Sequence, residues 1–339
     1  MKQRGFRYCS TCKSKLQKWG KTPAGTQRWR CPSCTATQVK PRPDLSRAFT
    51  LERFVAWLLG KQSQTELKLP DGITDRAWRS QTAWCWGIAP YPERTGEIYP
   101  VILLDGIGIG SLVCLVARTP DYVIGWTWVG WESSTRWAKL LEQFPAPTVA
   151  VCDGQKGILL AIARCWSGAR VQRCTFHVWQ NIRVKLTLHP QTEAGCELLQ
   201  LTRDLWQVKT VPQAECWEQR LLAWHGQYGG FIRERTYKSE TEPGRRRWWY
   251  THRNLRSAYR QLDKLLRDKQ LFTHLEPALL AEMEQPIPRT TNYVEGGINS
   301  QLRTKLKLHR GMSEEHQRRL VEWYLYSRTE RPKPTRKFL

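Results

Sequence analysis

The sequence predicts an α/β protein with a mixed β-sheet at its core, smaller units before that core and a helical segment that interrupts it. Three observations carry this prediction. Short apolar runs between residues 97 and 174 alternate with helical stretches. Two Cys-x-x-Cys steps stand near the N-terminus. Residues 186–286 lose the strand-like pattern and are rich in Trp, Gln and Leu.

The composition indicates a polyanionic partner. Lys and Arg number 54 against 30 Asp and Glu, which gives a formal net charge of +24. Such an excess opposes folding, but it favours binding to nucleic acid because neutralised phosphates release counterions. A membrane surface is the competing polyanion, yet no apolar run reaches the ~18 residues that span a bilayer. The 11 cysteines are odd in number and mostly scattered, as expected in a reducing compartment.

Residues 1–47 predict a zinc ribbon. Cys9-Ser-Thr-Cys12 is followed, after eighteen residues, by Cys31-Pro-Ser-Cys34. Each step places two sulfurs on one turn, and the hairpin between the steps brings both pairs around one tetrahedral Zn²⁺. The alternative is a set of redox-active or surplus cysteines.

Residues 48–92 predict a helix-turn-helix. Thr50 can cap one helix with apolar residues at helical spacing, and Thr74 can cap another that runs to Trp86. In that arrangement Arg76 and Arg79 face DNA. A small helical bundle that joins two domains is an equally good interpretation, because helix-turn-helix signals are degenerate.

Residues 93–185 predict the first part of the core. The elements expected in chain order are strands 97–105, 111–118 and 122–129, helix 132–143, strand 147–153, helix 155–166 and strand 169–174. Tight separators favour an antiparallel meander for the first three strands, and crossover helices add the later strands in parallel. This is the ribonuclease H-like order, in which the first and fourth strands lie side by side.

Two of these strands end in an aspartate followed by glycine, Asp105 and Asp153. Taken singly, each is most simply a residue that starts a turn. On neighbouring strands, however, their carboxylates would repel each other unless a divalent cation neutralised them. Oxygen ligands with open positions suit Mg²⁺ or Mn²⁺. The sequence therefore favours a metal site at this edge of the sheet.

Cys174 and His177 follow the last predicted strand and open a helix. Their spacing suits zinc, but no second pair of ligands is evident. Spacing alone therefore favours a buried cysteine and a packed histidine.

Residues 186–286 predict a helical insertion with a basic section. In that section Arg245, Arg246 and Arg247 precede Trp248-Trp-Tyr250. Cations interleaved with aromatic rings suit a nucleic-acid backbone and stacked bases. A solvated basic loop with a buried aromatic anchor is an equally good interpretation.

Residues 287–339 predict the helices that close the core and a basic tail. Asn292 can cap a helix, and Glu295 would complete a capping box with it. Against that purely structural role, Gly296-Gly297 would cost on the order of 1 kcal/mol each inside a helix, which suggests close approach by a phosphate backbone. The basic residues that follow are candidates for DNA contact: Arg303 and Lys305.

Together these motifs resemble the Mutator-like DDE transposases of bacterial insertion sequences, in the variant that carries an N-terminal zinc ribbon. The resemblance rests on four stretches: Leu104-Asp105-Gly106, Cys152-Asp153-Gly154, Cys174-Thr-Phe-His177 and Thr291-Asn292…Glu295…Leu302-Arg303. It implies that Asp105, Asp153 and Glu295 are catalytic. It also implies that Cys174, His177 and Asn292 lie near the site, and that a helical insertion fills part of the 142 residues between Asp153 and Glu295.

The resemblance further implies a transposase that cleaves and transfers DNA strands with two Mg²⁺ or Mn²⁺ ions, besides one structural Zn²⁺. Its partners would be double-stranded DNA, as terminal inverted repeats and target, and further copies of the chain in a dimer or higher oligomer. No membrane is expected; the location would be cytoplasmic, in a bacterium, and nucleoid-associated. The alternatives are a zinc-ribbon DNA-binding regulator and a domesticated, inactive transposase.

Overall fold

The computed structural model describes residues 7–23, 25–39, 43–67, 74–238, 248–291 and 297–339. They form two compact units. The smaller comprises the described parts of 1–58, 68–85 and 333–339, and the larger those of 59–67 and 86–332. The five domains expected from the sequence stay a prediction, since compactness alone does not delimit them.

The smaller unit contains an antiparallel three-stranded sheet and two helices. Its elements are β1 (Gln17–Lys21), β2 (Gln27–Arg30), β3 (Thr37–Val39), α1 (Pro43–Leu58) and α2 (Asp75–Thr82). The predicted cap at Thr74 is confirmed, because its hydroxyl accepts the amide of Ala77 at 3.2 Å. The predicted cap at Thr50 is wrong: α1 begins at Pro43, and the Thr50 hydroxyl donates to the Ser46 carbonyl inside the helix at 2.9 Å.

The larger unit is built on a mixed five-stranded sheet. Its strands are β4 (Val101–Ile109), β5 (Leu112–Arg118), β6 (Val123–Val129), β7 (Val149–Cys152) and β8 (Arg170–Arg173). The spatial order is β6-β5-β4-β7-β8, with β4, β5 and β6 antiparallel and with β7 and β8 parallel to β4. The strand order and directions expected from the sequence are therefore confirmed.

Asp105 lies inside β4 and not at its end, which corrects the prediction for this strand. The strand continues through Gly106 and Gly108 because both pair with β5. The turn falls instead at Gly110, whose φ of +59° suits a tight hairpin. On the other side of β4, β7 pairs only as far as Leu103. Because β7 stops pairing before Asp105 is reached, Asp105 lies in a part of β4 that pairs with β5 and extends beyond its pairing with β7.

Both faces of the sheet are covered. Ile102 and Leu104 pack into a core with two helices, α3 (Ser134–Leu141) and α4 (Lys156–Cys165). Val101 and Leu103 point to the opposite face and pack with Leu279 of α9 (Pro277–Glu282). Burial on both sides explains why the sequence of β4 is almost continuously apolar.

The insertion has an apolar core of its own. It is formed by α5 (Thr175–Leu186), α6 (Glu193–Asp204), α7 (Val211–Tyr228) and α8 (Arg253–Arg267). The described insertion is mostly helical, as expected, but β9 (Arg235–Tyr237) and β10 (Trp248–Tyr250) pair as an antiparallel hairpin that the sequence did not predict. Two last helices follow, α10 (Ser300–Leu308) and α11 (Glu314–Tyr326). Among the described helices, none combines the length and apolarity needed to span a bilayer.

Candidate metal centre and active site

The four cysteines of the smaller unit form one cluster. The Sγ atoms of Cys9, Cys12, Cys31 and Cys34 all lie within 4.8 Å of one another. Two of the separations are 3.5 Å, between Cys9 and Cys34, and 3.3 Å, between Cys12 and Cys31. Four thiolates ~2.3 Å from a tetrahedral zinc ion are separated by ~3.8 Å. The arrangement therefore suits one structural Zn²⁺ held by four thiolates.

Asp105 and Asp153 reach the same edge of the central sheet. The last pair between the parallel strands β4 and β7 joins Leu103 to Val151, and the two aspartates stand two residues beyond that pair. Asp105 is buried, with 6% of its surface exposed, and its Oδ1 accepts the amide of Gly106 at 2.9 Å. Asp153 is half-buried, and its Oδ1 accepts the amide of Gln155 at 2.9 Å.

Glycine after Asp153 is required by two local features. Gly154 has a φ of +74°, and a Cβ atom on it would lie 1.8 Å from Cζ of Arg173. The Arg173 guanidinium occupies this space because it donates from Nε and Nη2 to the Asp153 carbonyl, at 3.1 and 2.7 Å. The Asp-Gly step therefore lets an arginine from β8 hold the backbone that carries Asp153.

We expect Gly154→Ala to destabilise the protein by about 2–4 kcal/mol. A left-handed alanine costs roughly 1–2 kcal/mol, and displacing Arg173 from a carbonyl costs about as much again. Thermal or urea denaturation measures the loss. Gly168→Ala is the matched control, because Gly168 has no heavy atom within 4 Å of its built Cβ. Equal stability of the two variants would contradict the role given to Arg173.

Glu132 is a third acid at this edge, and it was not among the predicted site residues. A Cβ atom on Gly106 would lie 2.5 Å from Glu132 Oε1, while Oε2 accepts the indole N–H of Trp137 at 3.1 Å. Burial raises the pKa of Glu132; the Trp137 hydrogen bond opposes this, and the negative charge of Asp153 adds to it. Since Gly106 and Asp105 point to opposite faces of β4, Glu132 approaches from the other side of that strand.

Cys174 anchors the chain segment that precedes Asn292. Its buried sulfur accepts hydrogen bonds from the amide and the hydroxyl of Thr291, at 3.2 and 3.3 Å. The amide of Thr175 adds a bond to the Arg289 carbonyl at 3.0 Å. A buried, packed cysteine is what the spacing favoured. Asn292 and Glu295 themselves lie outside the described residues.

His177 lies in the first turn of α5 and is half-buried. It is close enough to Glu132 for its positive form to lower the pKa of that carboxyl. The charges of Asp153 and His177 therefore both act on the Glu132 carboxyl. No sequence signal marks Glu132 as part of the site, because the contact depends on a glycine in a distant strand.

The predicted DNA-contacting residues differ in their surroundings. Arg76 and Arg79 are exposed on α2, and Arg303 is exposed on α10. The Lys305 ammonium, by contrast, donates to the carbonyls of Leu59 and Gly60. Arg245, Arg246 and Arg247 lie outside the described residues.

The aromatic residues beside those three arginines are partly engaged within the protein. Arg235 lies over the ring of Trp248 at 4.1 Å, and Arg256 over the ring of Tyr250 at 4.0 Å. The ring of Trp249 is exposed. Two of the three aromatic rings thus already stack on cations of the insertion.

The chain thus combines a basic α/β fold, one four-thiol cluster suited to a metal ion among the described residues, and two aspartates at one sheet edge. Comparison with protein families gives one match. Residues 121–230, about a third of the chain, match the model of the transposases of the Mutator family. The resemblance inferred from the motifs is thereby confirmed. The match includes Asp153, Cys174 and His177 but stops short of Asp105 and Glu295. No curated protein sequence matches the chain.

Proposed function

We propose that the protein is a DDE transposase with a ribonuclease H-like core, which cleaves transposon ends and joins them to target DNA. One observation carries the proposal: Asp105 and Asp153 stand at the same edge of adjacent parallel strands in a chain with a Mutator-family transposase domain. The order β6-β5-β4-β7-β8, with its three antiparallel strands followed by parallel ones, supports the ribonuclease H-like assignment.

The reaction would be phosphoryl transfer in two steps. In the first step a water oxygen attacks a phosphorus at the transposon end, and the P–O3′ bond breaks to leave a 3′-hydroxyl and a 5′-phosphate. In the second step that 3′-hydroxyl attacks a phosphorus of the target and displaces another 3′ oxygen. Each step makes one P–O bond and breaks one, so no other reactant is needed.

The donor set at the sheet edge fits divalent magnesium or manganese. Asp105 and Asp153 supply hard oxygen atoms, and the negative charge of Asp153 acts as far as Glu132. When bound, two such ions would activate the attacking hydroxyl and stabilise the leaving oxygen. The chain's own part is to hold the carboxylates, through the Gly106 and Gln155 amides and through Arg173 on the Asp153 carbonyl.

We propose Glu295 as the third acidic ligand. Four residues separate it from Thr291, and a chain of four residues reaches at most ~14 Å. Thr291 is held by Cys174 at the end of β8, the strand next to β7. This anchoring keeps the third acid within reach of the edge where Asp153 stands, and it gives the family's Cys-x-x-His motif a positioning role for its cysteine.

DNA is the proposed substrate and partner. The zinc ribbon and α2, with Arg76 and Arg79, would recognise the terminal inverted repeats, and the basic residues Arg245, Arg246 and Arg247 would hold flanking or target DNA. Joining two transposon ends requires at least two active sites, so we propose a dimer or a larger oligomer on DNA. The site of action would be the bacterial nucleoid in the cytoplasm.

Cleavage of a supercoiled plasmid that carries the inverted repeats flanking the gene tests the proposal. We expect Mg²⁺- or Mn²⁺-dependent nicks at the repeat ends, mapped by primer extension, and no nicks with EDTA. Binding to the repeats without any nick would indicate a regulator or an inactive, domesticated transposase. Nicks at random positions would indicate a nuclease of the same fold without end specificity.

A further inference from the structure

A basic cleft of about 960 Å³ lies in the larger unit. Residues 60–66 form one wall, with Lys61 and Ser63 lining it, and α10 forms the other. Lys307 and Arg310 line the α10 side. The cleft lies outside the acidic edge of the sheet, so none of its residues belongs to the candidate active site.

Lys305 joins the two walls. Its ammonium donates from α10 to the carbonyls of Leu59 and Gly60, with 3.2 Å for the second bond. Burial lowers the pKa of Lys305, and repulsion from Arg328 and Lys61 lowers it further. This lysine is therefore a structural element of the cleft, and the repulsion shows that other cations stand close to it.

The remaining cations of the cleft face solvent. Lys61, Lys307 and Arg310 are exposed, and none of them forms an ion pair with another residue in the described part of the chain. Among the described residues that line the cleft, Glu66 is the one acid. Its Oε2 is occupied by the Ser63 amide and hydroxyl, both at 2.8 Å. Like charges gathered in this way oppose folding unless a polyanion neutralises them.

The groups on α10 match a phosphodiester backbone. Ser300, Thr304 and Lys307 are separated by four and three residues, so they share one helix face about 10 Å long. That length corresponds to roughly three steps of a DNA strand at 3.4 Å each. The Thr304 hydroxyl donates to the Ser300 carbonyl at 3.0 Å, so Lys307 is the donor of this face for the sequence-independent phosphate contacts that DNA-binding proteins make.

We propose that this cleft binds the DNA phosphate backbone and forms a contact surface separate from the active site. The inference rests on DNA being the substrate of the proposed function. A cleft built for a small anion would need few cations, whereas here Lys307 and Arg310 stand on one wall and Lys61 on the other. The contact positions the duplex without reading bases, so its contribution to the binding free energy is the same for any DNA sequence.

Salt-dependent binding to two duplexes tests the proposal, one with transposon ends and one of random sequence. We expect Lys61→Gln and Lys307→Gln each to weaken binding to both duplexes equally. The slope of log K against log[salt] should fall in magnitude by about 0.9 for each variant. Lys139→Gln is the matched control, because Lys139 is an exposed lysine on α3 that does not line the cleft. Wild-type slopes for both cleft variants would overturn the proposal.

A nicking assay on the same variants separates this proposal from the proposed function. If Lys61→Gln and Lys307→Gln show the reduced slopes while Asp153→Asn nicks like wild type, the cleft stands and the catalytic site is wrong. If Asp153→Asn is inactive and the slopes are unchanged, the catalytic site stands and the cleft is wrong.

Discussion

Replacing Asp153 by asparagine is expected to lower the rate of end nicking on the order of 10³-fold. Loss of a metal ligand removes several kcal/mol of transition-state stabilisation, and each 1.36 kcal/mol is a factor of ten in rate. Asparagine keeps the volume of the side chain and an oxygen that can accept the Gln155 amide, so the fold should persist. Primer extension on the nicked plasmid measures the rate, and thermal unfolding measures the fold.

Metal binding provides a second measurement that does not depend on activity. Mg²⁺ or Mn²⁺ should raise the thermal midpoint of the wild type, because a ligand bound only by the folded state stabilises it. The rise should be absent in Asp153→Asn. Asp121→Asn is the control, since Asp121 is an exposed acid in the turn between β5 and β6, and it should nick and bind metal normally. An Asp153→Asn protein as active as this control would place the chemistry elsewhere.

Replacing Asp105 should abolish activity without lowering stability, whereas replacing a structural residue lowers stability. Its carboxylate is buried, and a buried charge carries a desolvation penalty. Asp105→Asn should therefore leave the metal-free protein at least as stable as wild type while nicking is lost. Functional residues that are retained at a cost in stability behave in this way.

The sequence was sufficient for the parts of the fold that depend on local signals. Apolar runs of four to nine residues between turn signals identified the strands of the central sheet, and the crossover rule gave their order. The sequence predicts Thr74 as a cap because a capping hydroxyl bonds an amide three residues on, as observed for Ala77. Such bonds are fixed by neighbouring residues alone.

Contacts between distant residues could not be read from the sequence. The sequence predicts that the strand ends before Gly106, yet the pairing of Gly106 with Leu115 extends β4. Because Gly106 has no side chain, the Glu132 carboxyl can lie beside it. The sequence predicts Lys305 as a DNA contact, yet its ammonium donates to two carbonyls almost 250 residues away in sequence. In both cases the residue type fits several roles, and only the folded neighbours select one.

The segment that contains the four-cysteine cluster, residues 7–39, buries little apolar surface. Among the described residues of this segment, the buried apolar cluster consists of Cys9, Leu16 and Cys31, with Trp29, Cys34 and Ala36 packed partly against them. A core of this size cannot offset the conformational entropy of about thirty ordered residues, at roughly 1–2 kcal/mol each. Zinc binding contributes about 10–16 kcal/mol in zinc-finger peptides at pH 7. A zinc ion bound by the four thiols would therefore supply most of the folding free energy of this segment.

We accordingly expect one zinc ion per chain in the purified protein and none in the Cys9→Ser, Cys12→Ser variant. Without zinc, residues 7–39 should become sensitive to proteases, whereas the larger unit should stay protected because it has separate apolar cores. Binding to transposon ends should weaken at least tenfold. Metal analysis and limited proteolysis measure these changes, with Cys196→Ser, Cys216→Ser as the control, since both cysteines are exposed in the insertion. If the Cys9, Cys12 variant keeps one zinc per chain, the metal is held elsewhere and the ribbon must fold by other means.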